Sequence, residues 1–248
     1  MNVILITGCN GGIGLELCKK FNSKKWCVVG TDINDSHDNK YLDRFVKCDL
    51  SNEQDIVNIF DSIKNNENRL DCVINNAAYQ ICKSFEDTTG EEFKSVLNCN
   101  VVAPFLIAKY GLKFLKESKG SIINIGSVHA TNTSDKIMAY ACSKASIVGL
   151  TRNMAIELAK YDIRVNSVSP GAIETPMLKA GLSRGHIEGT NTEKLVENLG
   201  KKHIIGRVGY TYEVANLVYY LASKNKSGNI TGSNFVIDGG ATIKLSTE

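Results

Sequence analysis

The sequence is poor in the features that separate domains. It contains only three prolines in 248 residues, and no Pro-rich or Ser-rich linker, internal repeat or low-complexity tract divides it. A chain of this length fits one large α/β domain. Its 43% hydrophobic and 22% charged residues suffice for one sizeable core and are close to the composition of globular proteins. We therefore expect a single domain over residues 1–248.

Long runs of positive charge are also absent. The 29 basic and 26 acidic residues give a net charge of +3 and are interspersed. Short pairs such as Lys24-Lys25 fall well below the basic run of a nucleic-acid-binding tail. The sequence also lacks zinc-ligand spacing and any interleaving of aromatic with basic residues. It therefore predicts neither a nucleic-acid partner nor a bound metal.

The eight cysteines form no C-x-x-C pair. Several lie in apolar runs, as Cys72 does before Val73 and Ile74, where a thiol packs as a small hydrophobic group. We expect reduced thiols in a cytoplasmic protein. The first apolar segment, Val3 to Ile6, is far too short to cross a bilayer, so the sequence predicts a soluble protein without a membrane partner.

Short β-branched runs alternate with stretches of helical length along the whole chain. Their nearly unbroken apolar character is typical of strands buried on both faces of a parallel sheet. Repeated βα units predict a doubly wound, single-domain Rossmann fold with about seven parallel strands and helices on both faces. The predicted strands are Val3–Thr7, Cys27–Thr31, Arg44–Cys48, Cys72–Asn75, Ser121–Ile125, Arg164–Val168 and Asn234–Ile237.

One segment interrupts this alternation. Residues 174–206 are polar, rich in glycine, threonine and lysine, and weakly periodic. An insertion after a late strand of an open α/β sheet is well placed to cover the edge where ligands bind. We expect this segment to form a lid over the site.

A glycine-rich turn, Thr7-Gly8-Cys9-Asn10-Gly11-Gly12-Ile13-Gly14, follows the first predicted strand. Glycines in such a turn allow a tight bend, a close approach of the backbone to a pyrophosphate, and close packing of helix on strand. Free N–H groups and the positive end of the helix dipole then favour the phosphates. The spacing differs from the general G-x-G-x-x-G pattern, so the position between strand and helix supports the predicted dinucleotide site.

Acidic residues follow the second and third predicted strands. Asp32 could accept hydrogen bonds from an adenosine ribose and would repel a 2′-phosphate. The glycine turn also lacks a Lys or Arg for that phosphate, so NAD(H) is favoured over NADP(H). The alternative is that Asp32 merely begins a turn. Asp49 could contact the adenine, or Asp49 or Ser51 could cap the next helix, and both interpretations stay open.

Three polar residues could lie together at the carboxyl edge of the predicted sheet, although the spacing Tyr-x-x-x-Lys is a weak signal by itself. Tyr140 and Lys144 lie four residues apart, which places them on one face of a predicted helix. Ser127 follows the predicted strand Ser121–Ile125, and active sites of such sheets lie at the carboxyl ends of the strands. The opposite, core-facing stripe of the helix is expected to contain Ile147, Leu150, Met154 and Leu158.

In order and spacing, these elements resemble those of the short-chain dehydrogenase/reductase family over almost the whole chain. The resemblance rests on the glycine turn together with Asn75-Asn76-Ala77-Ala78, Asn100, Ser127, Tyr140-x-x-x-Lys144, Pro170-Gly171 and Ile237-Asp238-Gly239-Gly240. It departs from the family at Ala78, where Gly is usual, and the extra methyl group is expected to change the backbone only slightly. The resemblance implies an NAD(H)-dependent oxidoreductase acting on a secondary alcohol or ketone of the sugar, steroid-like or 3-oxoacyl type.

The resemblance also implies roles for the catalytic residues. Tyr140 would exchange a proton with the substrate oxygen, and Ser127 would polarise the carbonyl group. Lys144 would hold the nicotinamide ribose and, together with the nicotinamide charge, lower the pKa of Tyr140. Asn100 would hold a water that links Lys144 to solvent, or satisfy backbone groups as a buried residue, and both can hold together.

Cofactor contacts follow from the same resemblance. Asn75 and Ala77 would line the adenosine ribose, while Asn76 would tie the central strands together. Residues 170–173 would wrap the nicotinamide, with Thr175 near its carboxamide or the phosphates. The implied cofactor-binding residues are Gly8, Asn10, Gly12, Ile13, Gly14, Asp32, Asp49, Leu50, Asn75, Ala77, Tyr140, Lys144, Pro170, Gly171, Ile173 and Thr175.

Further candidates depend on position alone. His129 could contact substrate, although a partly exposed loop histidine is favoured. His186 and His203 lie in or near the expected lid without a recognisable partner. The remaining candidate pocket residues are Tyr79, Met177 and Arg184.

The family resemblance implies a homo-oligomer, commonly a tetramer or otherwise a dimer, in which the helices of Asn100 and Tyr140 pair across subunits. Two alternatives to the leading function stay open. One is an NADP(H)-dependent enzyme similar to 3-oxoacyl reductases. The other is a dinucleotide-binding regulatory protein without turnover, although such a protein would not need the complete set of catalytic residues.

Overall fold

The structure is a computed structural model that describes residues 1–35, 39–182 and 191–243. Within these ranges seven parallel strands form one sheet in the order β3-β2-β1-β4-β5-β6-β7, with helices on both faces, which confirms the predicted Rossmann fold. The strands are β1 (Val3–Thr7), β2 (Cys27–Asp32), β3 (Arg44–Lys47), β4 (Cys72–Asn75), β5 (Ser121–Ile125), β6 (Arg164–Pro170) and β7 (Asn234–Ile237).

The predicted strands are all present, with small differences at their ends. Strand β2 extends one residue further, to Asp32, and β6 extends to Pro170, because both strands still have a neighbour to pair with there. Strand β3 instead ends at Lys47, one residue before its predicted end.

The strand order determines where a ligand site can form on this sheet. From β1 the chain moves outward to β2 and β3, and it then returns to lay β4 on the other side of β1. Loops from the carboxyl ends of β1 and β4 therefore leave in opposite directions and open a crevice. Ligands of open α/β sheets bind at such a switch point.

Helices cover both faces of the sheet and form two apolar cores. Ile56, Ile107 and Met154 pack in one core, and Leu17, Phe21 and Val218 in the other. The helices are α1 (Gly12–Ser23), α2 (Glu53–Asn66), α3 (Gly90–Leu97), α4 (Ala103–Ser118), α5 (Met138–Leu158), α6 (Pro176–Leu182), α7 (Thr192–Gly200), α8 (Thr211–Ala222) and α9 (Lys224–Ser227), with a π-helical turn at Asn98–Val102 and 3₁₀ turns at Val128–Ala130 and Ala159–Tyr161.

Helix α5 buries a single face, which corrects the expectation of two opposite stripes. Tyr140, Lys144, Ile147 and Met154 are all buried, whereas Leu150 and Leu158, expected in the core-facing stripe, are only partly buried at its margin. Seven residues make almost two full helical turns, so Ile147 lies above Tyr140 rather than across from it. The catalytic face and the core-facing stripe are therefore the same face.

The continuous helical stretch Gly90–Ser118 is long and apolar enough to cross a bilayer by length and composition alone. It includes α3, the π-helical turn and α4. Ile107 and Leu115 in α4 are fully buried in the core, so packing against the sheet accounts for this part of its apolar character.

The expected lid, residues 174–206, contains helices α6 and α7. The segment between them, residues 183–190, which holds Arg184 and His186, lies outside the described residues. The insertion is pinned at its base, since Ile173 and Gly209 form a parallel β-bridge and Gly209 N–H donates to the carbonyl of Ala172 at 2.8 Å. Both ends of the insertion thus start from one point beside β6.

Candidate active site

The glycine turn joins β1 to α1. Gly8 has a φ of +63°, and a Cβ there would lie 2.8 Å from Ala77 Cα. A Cβ on Gly14 would lie 1.9 Å from the Gly8 carbonyl oxygen, so both positions require glycine. Helix α1 begins after Gly11, and no side chain caps the amino terminus of this helix. Its first N–H groups can therefore bind an anion, as a dinucleotide pyrophosphate requires.

Asp32 lies beside this turn at the end of β2. Its Oδ2 accepts the Asn10 N–H at 3.1 Å, and its Oδ1 accepts the Asn34 N–H at 3.1 Å. The carboxylate is half-buried and reaches from the second strand to the glycine turn, in the position expected for a group that holds the ribose hydroxyls.

Asp49 lies in the exposed turn after β3, next to the half-buried Leu50. It accepts both the N–H and the hydroxyl of Ser51, at 2.9 and 2.7 Å. The side chain that caps α2 is Asn52, which accepts the Gln54 N–H. Capping of α2 by Asp49 or Ser51 is therefore wrong, and adenine contact by Asp49 stays a prediction.

The residues after β4 have clear structural roles. Asn76 Nδ2 donates to the carbonyls of Thr7 and Gly8, each at 3.0 Å, so it ties β4 to β1 as expected. Asn75 is 4% exposed and donates through Nδ2 to Asn124 Oδ1 at 2.8 Å. That bond favours a role of the Asn75 side chain inside the sheet over ribose contact. Ala77 N–H donates to the Thr7 hydroxyl at 3.0 Å.

The segment after β6 returns toward the glycine turn. A Cβ on Gly171 would lie 2.7 Å from Asp238 Cβ, which explains the glycine after Pro170. A Cβ on Gly12 would lie 2.9 Å from Thr175 Cγ2. The backbone of Gly12 thus faces Thr175. Ile173, two residues earlier in the same loop, is buried.

Thr175 also begins helix α6. Its hydroxyl donates to the Ile173 carbonyl and accepts the Leu178 N–H, both at 3.2 Å. A cavity of about 490 Å³ opens here, lined by Glu174, Thr175, Pro176 and Lys179. The glycine turn meets the segment after β6 where Gly12 faces Thr175, and the cavity opens beside this contact.

The side chains of the predicted catalytic residues Ser127, Tyr140 and Lys144 converge where β5 ends and α5 begins. The Ser127 side chain lies close enough to the Tyr140 phenol to influence its ionisation. Lys144 Nζ donates to the carbonyl oxygen of Ile125 at 2.8 Å and lies 5.4 Å from the centre of the Tyr140 ring. All three catalytic residues are buried. The hydroxyl, phenol and ammonium groups thus form one cluster, as the sequence predicts.

Burial governs the ionisation of this cluster. It raises the pKa of Tyr140 to about 12, and the hydrogen bond with Ser127 opposes the rise. Burial lowers the pKa of Lys144 to about 8. In the protein without cofactor, loss of hydration therefore dominates the pKa of Tyr140. The expected lowering by Lys144 together with the nicotinamide charge stays a prediction.

Asn100 lies in the π-helical turn before α4 and is buried. Its Oδ1 accepts the Tyr79 N–H at 2.7 Å, and its Nδ2 donates to the Tyr79 carbonyl and to Ser143 Oγ, both at 2.9 Å. Ser143 in turn donates to the Tyr140 carbonyl at 2.7 Å. These bonds confirm that Asn100 satisfies backbone groups, and its water-binding role stays a prediction.

Comparison with known proteins agrees with this geometry. A family model described as enoyl-(acyl carrier protein) reductase, adh_short_C2, matches residues 8–242. The chain belongs to the short-chain dehydrogenase/reductase family. It is therefore an oxidoreductase acting on CH–OH groups.

Relatives of this dehydrogenase/reductase match it along nearly their whole length. An NAD-dependent glycerol dehydrogenase of Listeria innocua is 31% identical over 98% of this chain and 94% of its own. The ligand-free aldohexose dehydrogenase of Thermoplasma acidophilum has a TM-score of 0.92 at 28% identity, covering 99% of this chain and 95% of its own. A 4-hydroxyisoleucine dehydrogenase in complex with NADH has a TM-score of 0.84 at 34% identity, covering 99% and 100%.

His129 lies closer to the catalytic cluster of this dehydrogenase/reductase than expected. Its ring stands edge-on to the Tyr140 ring, with centroids 6.0 Å apart, and its backbone N–H donates to Ser127 Oγ at 3.2 Å. His129 is a half-buried residue of the segment after β5, as favoured from the sequence, and its contact with substrate stays a prediction. Met177 and Tyr79 are about half exposed, so their contact with substrate stays a prediction.

His203 is 5% exposed, and its Nδ1 lies 2.9 Å from the Leu199 carbonyl. It packs near Gly239, after β7, rather than in the catalytic cluster. Within the described residues, no three His, Cys, Asp or Glu side chains are grouped to hold a metal ion. All eight cysteines lie within the described ranges, and no disulfide bond joins any of them there.

Sequence reasoning did not identify three residues that support the cluster: Ser143, Asn124 and Thr151. Ser143 and Thr151 share the buried face of α5 with Tyr140 and Lys144, so helical spacing from Tyr140 was the available signal. Asn124 stands in an apolar strand, where a buried amide indicates a specific partner.

Proposed function

We propose that this dehydrogenase/reductase uses NAD(H) to oxidise a secondary hydroxyl group of a polyol or sugar-like alcohol, or to reduce the corresponding ketone. The observation that carries the cofactor choice is the Asp32 carboxylate, which bonds Asn10 N–H at 3.1 Å beside the glycine turn. A 2′-phosphate there would meet this negative charge. The sequence from 32 to 38 also contains Asp35 and Asp38 but no Lys or Arg.

Bound NAD⁺ supplies the acceptor for the hydride that leaves the substrate carbon. In the direction of oxidation, Tyr140 Oη accepts the proton of the substrate hydroxyl. Ser127 Oγ hydrogen-bonds the same oxygen and orients it toward Tyr140. In the direction of reduction, Ser127 polarises the carbonyl group and Tyr140 donates the proton.

The substrate class is supported by the names of similar proteins and by one contact. Two of the three similar proteins named above are dehydrogenases of glycerol and of aldohexoses, which carry neighbouring hydroxyl groups. His129, edge-on to Tyr140, adds a polar ring beside the reacting position. A second hydroxyl group of the substrate would find a hydrogen-bond partner there.

The experiment is a substrate panel followed by absorbance at the reduced-nicotinamide band. Glycerol, aldohexoses, a hydroxysteroid and a 3-oxoacyl thioester are each tested with both nicotinamide cofactors. Turnover of polyols with NAD⁺ supports the proposal. Turnover of only the 3-oxoacyl thioester with NADPH would favour the reductase-like alternative, and cofactor binding without any turnover would favour the regulatory protein. Tyr140→Phe is the inactive control.

The proposed enzyme is a homo-oligomer that buries the outer faces of α4 and α5. Phe105 on α4 is 48% exposed and Ile156 on α5 is 76% exposed, and exposed apolar groups on neighbouring helices favour association. Light scattering tests this, since a monomer at assay concentration would contradict it.

A further inference from the structure

Strand β5 and helix α5 run in opposite directions and are joined by three polar contacts. Ser127 interacts with Tyr140 near the carboxyl end of the strand, and the Ile125 carbonyl accepts from Lys144 Nζ at 2.8 Å. One residue earlier, Asn124 Nδ2 donates to Thr151 Oγ1 at 2.9 Å. The first two contacts belong to the catalytic cluster, and the third lies outside it.

The third contact is deeply buried. Asn124 and Thr151 are each 1% exposed, and the neighbouring residues Ile122 and Met154 belong to an apolar core. A hydrogen bond in such surroundings is directional and costly to break, because water cannot replace the lost partner. This polar pair therefore specifies one alignment of α5 on the sheet, which apolar packing alone does not do.

Asn75 holds the donor of this contact in place. It faces Asn124 in the register of β4 and β5 and donates to Asn124 Oδ1 at 2.8 Å. Because Asn124 Oδ1 accepts from Asn75 while Nδ2 donates to Thr151, the whole amide group is fixed. Thr151 thus meets a donor that is itself anchored to the central strand β4.

We propose that Thr151 is a positioning residue that sets the height and rotation of α5 against β5. Lys144 and Tyr140 lie about two and three turns away on the same face of the helix. A slide or twist of α5 that broke the Asn124–Thr151 bond would also move the Tyr140 phenol relative to Ser127. Thr151 therefore acts on the reaction through Tyr140 without touching substrate. This inference rests on the proposed function.

The test compares side chains of similar volume at position 151. Thr151→Val keeps the shape but removes the acceptor, whereas Thr151→Ser keeps the hydroxyl group. We expect Thr151→Val to lower kcat about tenfold, because small displacements of reacting groups cost rate steeply, with little change in KM for NAD⁺. The pH profile of kcat should also shift in Thr151→Val. In Thr151→Ser, kcat and its pH profile should both be close to those of the wild type.

Thr231→Val is a control for the loss of a hydrogen-bonded threonine hydroxyl outside the catalytic cluster, at an exposed position. The Thr231 hydroxyl accepts the Val165 N–H at 3.1 Å, at the amino-terminal edge of the sheet and far from Tyr140. It should lower the melting temperature and leave kcat and the pH profile unchanged. If Thr151→Val behaves in the same way, Thr151 has only a structural role and the proposal is overturned. Should Thr151→Val not fold, Thr151→Ala is compared with Thr151→Ser by the same measurements.

Hydrogen exchange separates this inference from the proposed function. In the cofactor-free protein, Thr151→Val should speed amide exchange at residues 138–145, and Thr151→Ser should not. Suppose that the wild type turns over no alcohol but amide exchange at residues 138–145 is still faster in Thr151→Val than in Thr151→Ser. The proposed function then fails, while the positioning role stands. If amide exchange at residues 138–145 is the same in Thr151→Val as in the wild type, Thr151 does not position the helix.

Discussion

Lys144 Nζ donates its hydrogen bond to the backbone carbonyl of Ile125, at 2.8 Å, in the buried interior of the protein. The contact joins the catalytic helix to the last residue of β5. A neutral carbonyl replaces only part of the hydration that a buried ammonium group loses. Burial accordingly lowers the pKa of Lys144 to about 8, so the protein keeps this charge at a cost in stability.

Replacing this lysine should therefore stabilise the fold while abolishing activity. The drop of the pKa of Lys144 from 10.5 to about 8 corresponds to about 3 kcal/mol at pH 7. After loss of the Ile125 bond, Lys144→Met should still raise the free energy of unfolding by about 1–2 kcal/mol. Thermal melts and turnover measure the two effects.

The pH dependence of this gain follows from linkage. The folded-state pKa of Lys144 lies below its unfolded value, so the unfolded chain binds more protons between about pH 8 and 10.5. The penalty is complete below pH 8 and disappears as the pH rises through that window. The advantage of Lys144→Met should shrink accordingly, whereas the exposed Lys64→Met control should show no gain. A constant or negative difference across this range would contradict the buried-charge explanation.

Alcohol oxidation should accelerate with rising pH. Burial raises the pKa of Tyr140 to about 12, so the phenolate that must accept the substrate proton is scarce near neutrality. Ketone reduction uses the protonated phenol, which persists throughout this range, so it should not show the acceleration expected for oxidation. Initial rates in both directions from pH 6 to 10 test this. Equal pH dependence in the two directions would argue against Tyr140 as the proton-transfer group.

Asp32→Ala should weaken NAD(H) binding about tenfold and relax discrimination against NADP(H), because it removes a charged acceptor of the ribose hydroxyls. NADH fluorescence titration measures the affinity for each cofactor. Asp61→Ala is the control, since Asp61 is an exposed carboxylate in α2, away from the glycine turn. Unchanged affinity in Asp32→Ala would place Asp32 outside the cofactor site.

Gly14→Ala should be far more damaging than Gly11→Ala. A Cβ on Gly14 would lie 1.9 Å from the Gly8 carbonyl oxygen, whereas a Cβ on Gly11 would lie 3.4 Å from the same atom. The first clash forces the glycine turn apart and should cost about 3 kcal/mol or more, and the second substitution less than about 1 kcal/mol. Denaturant unfolding measures both, and similar losses would show that the turn is less tightly packed.

Much of the fold was readable from local patterns. Strands such as Ser121–Ile125 are unbroken apolar runs, because a parallel sheet covered by helices buries both of their faces. Tyr140 and Lys144 share a face because of helical spacing alone. The cap of α2 was misplaced by a few residues, since Asp49, Ser51 and Asn52 are all competent caps and only the observed backbone path selects Asn52.

The amino-acid sequence by itself determined the order of strands and helices, the glycine turn and the joint presence of Ser127, Tyr140 and Lys144, because these depend on residues close together in the chain or on a shared pattern. Tertiary structure alone decided the direction of the pKa of Tyr140, the edge-on contact of His129 and the Asn75–Asn124–Thr151 chain. Burial and hydrogen-bond partners come from segments distant in sequence, and no local pattern encodes the distance between them.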